Sequence, residues 1–398
     1  MGAFLNLDRQ FQGRVRHSEA FWAPSVHGRP GYSLGMVMSD RPEVQTASWP
    51  IAVVDVATLA SSFVGAVSRL PFRAPWRGPS HPPRNLAVSA TRELVRTLLG
   101  YASSLPIDEF RSLERVLDGI AGRVLPPFVA LQGVTSEPDQ IGGVPGVWFR
   151  PPPAEGDRHD AEGPRTPGTL VYLHGGGYIG TSPRMYSLFM AHLARVTGCE
   201  VFAADYRLAP EFPFPAAVDD VISVITHLKK SGLACEQLLI AGDSGGGGLL
   251  GTVLHRMRKE DLGRPAGALL FSPEVSLTLS EDSITDNAPF DVLPWNIPVN
   301  PYLHGVDPDD ERVDVLLDDV AGWPPTFLVY GADEMFRDAI RELAGKLRGA
   351  GVPHVTSEVE GMFHVFPFLL PWARESQDVY DRAGSFVRSV LVRAAWLH

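Results

Sequence analysis

The stretch LLIAGDSGGGGLLGTV, residues 238–253, decides the fold. It passes from an apolar run that is typical of a buried strand, through a glycine-rich turn, into a helical pattern. Gly242, Ser244 and Gly246 give the G-x-S-x-G pattern, in which a serine lies on a sharp strand-to-helix turn between small neighbours. The turn holds the serine oxygen at the amino end of a helix, where N–H groups attract negative charge. Ser244 is therefore predicted to be a nucleophile.

The letters GDSGG also surround the nucleophile of trypsin-like proteases, which lies in a loop of a β-barrel. That interpretation requires a histidine and an aspartate before the serine and strands throughout. This chain instead alternates apolar strand candidates with helical patterns, which predicts a mostly parallel sheet covered by helices on both faces. The strand candidates are TLVYLH, EVFAAD, QLLIAG, GALLFSP, TFLVYG and HVTSEVEG, after an earlier pair within GVTSEPDQIGGVPGVWFRPPP.

The chain divides into two unlike parts. Residues 1–124 are irregular and rich in proline with helical stretches, and predict an N-terminal helical cap, whereas residues 125–398 predict the α/β catalytic domain. Pro50–Phe72 is mostly apolar over about 17 residues, the shortest length for a membrane span. Asp55 and three serines interrupt this segment. These interruptions favour a helix buried against the protein over membrane contact.

Composition argues against several classes of protein. The 398 residues carry a net charge of -11, whereas a nucleic-acid surface clusters Lys and Arg. Cys199 and Cys235 are too few for a disulfide framework, and the first residues lack the apolar core of a secretory signal, so we expect a cytoplasmic protein. The 12 histidines include no HExxH pattern and no Cys/His cluster at zinc spacing, so neither a metal nor a cofactor is expected.

Two further motifs offer partners for the serine. YLHGGGYIG places three glycines at the end of a strand candidate, where bare peptide N–H groups can approach an oxyanion. No phosphate-loop spacing follows it, and His174 is interpreted as a residue that orders the loop. GMFHVFPF places His364 between the last strand candidate and the C-terminal helix, as the last member of a triad in this fold requires. General base is favoured over the alternative, a packed core histidine.

The acid is the least determined member. LVYGADEMFRDAI offers Asp333, Glu334 and Asp338 just after a strand candidate. Any carboxylate within hydrogen-bond reach of the imidazole could fix its tautomer and stabilise its cation. The residues alone leave the choice open.

From about residue 130 to 398 the sequence resembles the hormone-sensitive-lipase-like (bacterial family IV) branch of the α/β-hydrolases. The motifs that carry the resemblance are HGGGYIG (174–180), DYRLAPEFPFPAAVDD (205–220), GDSGGG (242–247), GWPPTFLVYGADEMFRD (322–338) and HVF (364–366). The resemblance implies that residues 205–211 brace the loops around the site. It implies these site residues: Ser244 as nucleophile, His364 as base, and Gly175, Gly176 and Gly245 as oxyanion donors.

Two positions depart from the family pattern. The family usually writes GDSAGG, and the glycine at position 245 predicts a slightly looser turn. The family's acid motif, G-x-x-D-x-L-x-D, aligns its acid with Glu334, which we favour over Asp333. No family resemblance is identified for the N-terminal residues, about 120 of them.

The resemblance implies a serine carboxylesterase that hydrolyses small esters of short or medium acyl chains. A lid would come from the N-terminal segment and the loop with Phe290, Trp295 and Tyr302, and a homodimer is one expected assembly. Three alternatives stay open: an amidase or lactonase with the same triad, a non-catalytic small-molecule receptor on this fold, and a membrane-associated lipase.

Overall fold

A single eight-stranded sheet forms the centre of the structure. The structure is a computed structural model that describes residues 45–69, 82–152, 168–294, 297 and 299–395. The strands are β1 (Thr135–Ile141), β2 (Val144–Arg150), β3 (Thr169–Leu173), β4 (Glu200–Ala204), β5 (Leu238–Asp243), β6 (Gly267–Phe271), β7 (Thr326–Gly331) and β8 (His354–Val359). Their spatial order is β1-β2-β4-β3-β5-β6-β7-β8. Strand β2 pairs antiparallel with β1 and β4, and the other neighbours are parallel, which confirms the predicted sheet.

Helices flank the sheet and form the N-terminal layer. They are α1 (Trp49–Arg69), α2 (Pro82–Ala102), α3 (Ile107–Val124), α4 (Pro126–Leu131), α5 (Ser187–Thr197), α6 (Ala216–Lys230), α7 (Ser244–Lys259), α8 (Asp282–Asp286), α9 (Asn300–Leu303), α10 (Arg337–Gly349), α11 (Phe366–Leu369) and α12 (Arg374–Ala395). The long connection between β6 and β7 contains α8 and α9. Trp295, which we assigned to a lid in this connection, lies outside the described residues.

The central strands are apolar throughout because both faces of the sheet are covered. Along β3, Val171 and Leu173 join a core that includes side chains of α6, α7 and α10. The alternate residues Leu170 and Tyr172 join a second core with α5 and α12. A strand between two cores exposes neither face, so it lacks the polar alternation of a half-exposed strand.

The predicted division at residue 124 coincides with the end of α3, and stays a prediction. Residues 1–44 and 70–81 of the predicted cap lie outside the described residues, as does most of the Pro/Gly loop, residues 153–167. The expectation that Pro50–Phe72 is buried is wrong for the described part, Trp49–Arg69. Its apolar span is only 18% buried, and by length and composition it could cross a membrane.

Candidate active site

Ser244 lies at the turn between β5 and α7 with a φ of 51°, in the left-handed region that ordinary side chains rarely adopt. A Cβ atom on Gly242 would lie 2.4 Å from the carbonyl oxygen of Gly246. A Cβ on Gly246 would lie 2.1 Å from the carbonyl oxygen of Leu173. These distances are shorter than any real contact, which is the steric reason for the glycine on each side of the serine.

The structure brings Ser244 and His364 together from segments 120 residues apart. The Oγ atom of Ser244 lies 2.9 Å from Nε2 of His364, within hydrogen-bond distance. His364 follows β8 and is only 2% exposed. The edge of Phe336 packs against its imidazole, with ring centroids 5.1 Å apart. The ring is therefore held in a buried setting with one nitrogen directed at the serine.

Glu334 is the carboxylate that faces the other imidazole nitrogen. Its Oε1 atom lies 4.0 Å from Nδ1 of His364, and neither atom has a hydrogen-bond partner in the described part of the chain. Its Oε2 atom accepts hydrogen bonds from Ser272 Oγ at 2.7 Å and from the Gly331 amide at 2.9 Å. These two bonds fix one carboxylate oxygen and leave the other free for the ring.

The other two candidate acids occupy different settings. Asp338 pairs with Arg337 at 2.8 Å and accepts the amide of Ser283 at 3.1 Å. The backbone amide of Asp333 donates to the carbonyl oxygen of Met362. Of the three, Glu334 is thus the one for which the structure gives an ion-pair distance to the ring.

Burial and neighbouring carboxylates act in opposite directions on His364. Burial lowers the pKa of the imidazole, whereas Glu334, Asp291 and Asp243 raise it, and the net effect is a pKa above the ordinary 6.5. Burial also raises the pKa of Glu334, an effect that His364 opposes. The surrounding negative charge therefore stabilises an imidazolium ion at this position.

The prediction that the Gly175 amide is an oxyanion donor is wrong. Its amide donates to Oδ1 of Asp243 at 2.8 Å, so it has no proton left for a substrate. Among the residues that the structure describes, the amides of Gly176 and Gly177 have no acceptor. Gly245 begins the first turn of α7, where an N–H has no partner within the helix. The available donors are therefore Gly176, Gly177 and Gly245.

The slightly looser turn expected at Gly245 stays a prediction, but the structure shows how closely the glycine loop approaches this residue. A Cβ atom there would lie 3.1 Å from the amide nitrogen of Tyr178 and 3.2 Å from that of Gly177. The glycine loop thus lies directly against the elbow, and Gly245 permits this approach.

Asp243, whose role the sequence did not reveal, joins the elbow to the glycine loop. Its buried carboxylate accepts hydrogen bonds from the hydroxyls of Tyr172 and Tyr186 at 2.7 and 2.8 Å, in addition to the Gly175 amide. Burial raises its pKa to about 6, and the three donors oppose this rise. The aspartate of the motif GDSGG was the available signal, since it lies next to the nucleophile.

Asp291 was also missed. Its Oδ1 atom accepts the backbone amide of His364 at 2.9 Å, and Oδ2 accepts the amide of Met335 at 2.7 Å. It thereby ties the histidine loop to the segment that carries Glu334. Asp291 is one of several aspartates in the long β6–β7 connection, and nothing in the sequence around it indicates this role.

The segment 205–211 braces the glycine loop, as expected. The Tyr206 ring stacks on His174 with centroids 4.5 Å apart, and its hydroxyl donates to the His174 carbonyl oxygen at 2.6 Å. His174 is fully buried, and burial lowers its pKa to about 4, so it is neutral at ordinary pH. Arg111 of α3 binds Glu211 at 2.7 Å and the Ile179 carbonyl oxygen, which connects the N-terminal helices to this brace.

Glu274 is a buried carboxylate beside the nucleophile. Its amide donates to the Ser244 carbonyl oxygen at 2.9 Å, while its Oε1 atom has no partner in the described part of the chain. Burial raises its pKa to about 7, and His364 opposes the rise. The hydroxyl of the buried Tyr302 likewise lacks a partner there.

One cavity of the structure lies away from the serine. It has a volume of about 420 Å³ and opens between α3, β1, β2 and the chain that follows the glycine loop, with Arg111, Asp118 and Arg184 in its wall. Neither Ser244 nor His364 lines it, so it is not the space that faces the serine. Within the described ranges, no group of three or more His, Cys, Asp or Glu side chains could hold a metal ion.

Comparisons with known proteins agree with this geometry. A model of the alpha/beta hydrolase fold family matches residues 170–368. An acetyl-hydrolase of Streptomyces hygroscopicus is 31% identical over 253 residues, which cover 63% of this chain and 81% of that protein. An esterase of Acinetobacter venetianus is 30% identical over 56% of this chain and 75% of its own length.

A solved structure of an esterase from the bacterial hormone-sensitive lipase family superposes with a TM-score of 0.66 at 28% identity. The superposition covers 79% of this chain and all of that one. This protein therefore belongs to the α/β-hydrolase family and is a hydrolase of its hormone-sensitive-lipase-like branch.

Proposed function

We propose that the protein is a serine carboxylesterase in which Ser244 is the nucleophile, His364 the general base and Glu334 the acid of the triad. The observation that carries the proposal is the 2.9 Å contact between Ser244 Oγ and His364 Nε2. It occurs at a strained strand-to-helix turn, beside a glycine loop with available amides. Together these features supply a nucleophile, a base and a place for the negative charge.

In the first half of the reaction, His364 takes the proton of Ser244 as the hydroxyl attacks the ester carbonyl. Negative charge develops on the carbonyl oxygen, and the amides of Gly176, Gly177 and Gly245 stabilise it. The imidazolium then donates its proton to the departing alcohol, which leaves an acyl group on the serine. The negative charge of Glu334 stabilises the imidazolium while it exists.

In the second half, His364 takes a proton from water, and the resulting hydroxide attacks the acyl-enzyme. The same amides stabilise the second oxyanion. The imidazolium returns its proton to Ser244, and the carboxylic acid leaves. Every proton transfer uses Nε2 of one histidine, so the mechanism calls on no metal or cofactor.

Small esters with short or medium acyl chains are the proposed substrates. Two observations support this range: relatives are named acetyl-hydrolase and esterase, and Ser244 is only 7% exposed. A nucleophile at the base of a covered site accepts a short acyl chain more readily than a long one.

The test is a chain-length series of p-nitrophenyl esters on wild type and Ser244→Ala, with labelling by a fluorophosphonate. We expect Ser244→Ala to lose labelling and nearly all turnover, whereas the control Ser187→Ala on α5 keeps both. Equal turnover by wild type and Ser244→Ala would refute the proposal. Faster cleavage of matched anilides than of esters would instead favour an amidase, and a wild type that is neither labelled nor active on any substrate would favour a receptor.

A further inference from the structure

Helix α1 presents an unusually apolar surface to solvent. Val54 is 62% exposed, Val64 72% and Trp49 74%. Ile51, Val53, Val56 and Val67 are exposed as well. Single exposed apolar residues are ordinary on soluble proteins, but a contiguous apolar patch marks an interaction surface. We call this set of residues, together with the hydroxyl residues between them, the α1 face.

The polar groups of the α1 face are satisfied inside the helix. The hydroxyls of Thr58, Ser61, Ser62 and Ser68 donate to carbonyl oxygens three or four residues earlier, at 2.8 to 2.9 Å. A hydroxyl bonded in this way leaves no donor that needs water. The face can therefore enter an apolar medium without losing hydrogen bonds, which a water-facing helix has no need to achieve.

The one acidic residue of α1 lies away from this face. Asp55 is only 6% exposed, and the hydroxyl of Tyr101 on α2 donates to it at 3.0 Å. Because this carboxylate is turned toward the protein, Ile51 to Ser68 present no charged side chain to the outside. The charged side of α1 thus faces the protein, and its apolar side faces outward.

The sequence beside α1 is basic, although the whole chain is acidic. No Asp or Glu occurs between Asp55 and Glu93, whereas residues 69–84 contain four arginines, Arg69, Arg73, Arg77 and Arg84. The whole chain has a net charge of -11. An apolar helix that is followed in the sequence by a basic stretch is a combination that binds anionic lipid headgroups and their acyl chains.

We propose that the α1 face docks the protein on the surface of an anionic lipid bilayer. The opposite side of α1 packs on α2 and α3, so lipid does not surround the helix and the protein lies on the membrane without spanning it. Lipid fits this face better than a protein partner does, because the hydroxyls offer a partner no donors. The proposal is independent of the esterase mechanism, since α1 contains no residue of the site.

The test is co-sedimentation of the full-length protein with vesicles, either of phosphatidylcholine alone or mixed with phosphatidylglycerol. We expect binding to the anionic vesicles that weakens in high salt and exceeds binding to the neutral ones. The double variant Val54→Asp/Val64→Asp should lose more than about tenfold in partitioning. Val392→Asp, at an exposed valine on α12 distant in sequence, is the matched control and should bind like wild type.

Turnover of a short soluble ester and the thermal midpoint are measured for each protein, and both should stay at wild-type values. The proposal would be overturned if the wild-type protein co-sedimented with neither kind of vesicle. A double variant that binds as well as wild type would also overturn it. Size-exclusion chromatography tests the alternative that a second copy of the protein covers the α1 face. That alternative holds if wild type is a dimer, the double variant is a monomer, and neither binds vesicles.

Discussion

Nδ1 of His364 and Oε1 of Glu334 face each other at 4.0 Å, and neither has another hydrogen-bond partner among the described residues. The distance exceeds a hydrogen bond, yet Ser272 and Gly331 already hold the second carboxylate oxygen in place. Catalytic hydrogen bonds are often long without substrate and shorten in the reacting complex. The contact therefore has the arrangement of an ion pair that forms fully when the imidazole takes a proton.

Replacement of Glu334 tests this relationship. We expect Glu334→Gln to lower kcat by roughly 100- to 10 000-fold with a small change in KM, because the amide cannot stabilise the imidazolium. Asp333→Asn should stay within about tenfold of wild type. Steady-state kinetics on a p-nitrophenyl ester measures both. A large loss in Asp333→Asn alone would assign the acid to Asp333.

The pH dependence of kcat/KM follows from the raised pKa of His364. The base works only as neutral imidazole, so activity falls as the pH drops through its pKa. Because the surrounding carboxylates raise that pKa, we expect the midpoint of the acidic limb above 6.5. Glu334→Gln should move the midpoint of its residual activity to lower pH. A wild-type midpoint well below 6.5 would contradict the electrostatic argument.

Gly245→Ala tests the close approach of the glycine loop. The new methyl would meet backbone atoms of Gly177 and Tyr178 at 3.1 to 3.2 Å and displace the loop by a few tenths of an ångström. We expect about a tenfold lower kcat with little change in KM, less than the loss of a whole donor. Gly345→Ala on α10, where nothing lies within 4 Å, is the control and should keep full activity. An unaltered kcat in Gly245→Ala would show that the loop yields freely.

Glu274→Gln should stabilise the protein at alkaline pH. Burial raises the folded-state pKa of Glu274 from 4.5 to about 7, so its ionisation opposes folding. The penalty is absent below pH 4.5, grows as the pH rises toward 7, and amounts to about 3 kcal/mol above that. The thermal midpoints of wild type and Glu274→Gln should therefore move apart as the pH rises, and the variant should have the higher midpoint at pH 8. A constant difference from pH 4 to 8 would argue against a buried, titrating carboxyl group.

Local patterns predicted much of this structure because local sterics enforce them. The strands β3 to β7 were identifiable as apolar runs, and Ser244 was identifiable from the glycines that its turn requires. His364 followed from the order of the motifs, whereas Glu334 followed from the resemblance to the family's acid motif. Residues whose roles depend on contacts between distant segments were not identifiable. Asp291, for example, binds the histidine loop from the β6–β7 connection, whose sequence shows no motif.

Two errors have specific physical causes. Gly175 has the residue type that an oxyanion donor needs, but the orientation of its amide depends on Asp243, which lies 68 residues away. The α1 segment has the composition of a buried helix, and composition alone does not say whether protein or solvent lies beside it. Both outcomes depend on what packs against a residue, which a single sequence does not specify.

The contacts of Arg111 link the position of α3 to the glycine loop. One guanidinium group of α3 binds Glu211 together with the carbonyl oxygens of Ala209 and Ile179, and Ile179 follows the glycine loop by two residues. If the mechanism proposed above holds, a displacement of α3 would therefore shift the peptide units that are proposed to stabilise the oxyanion.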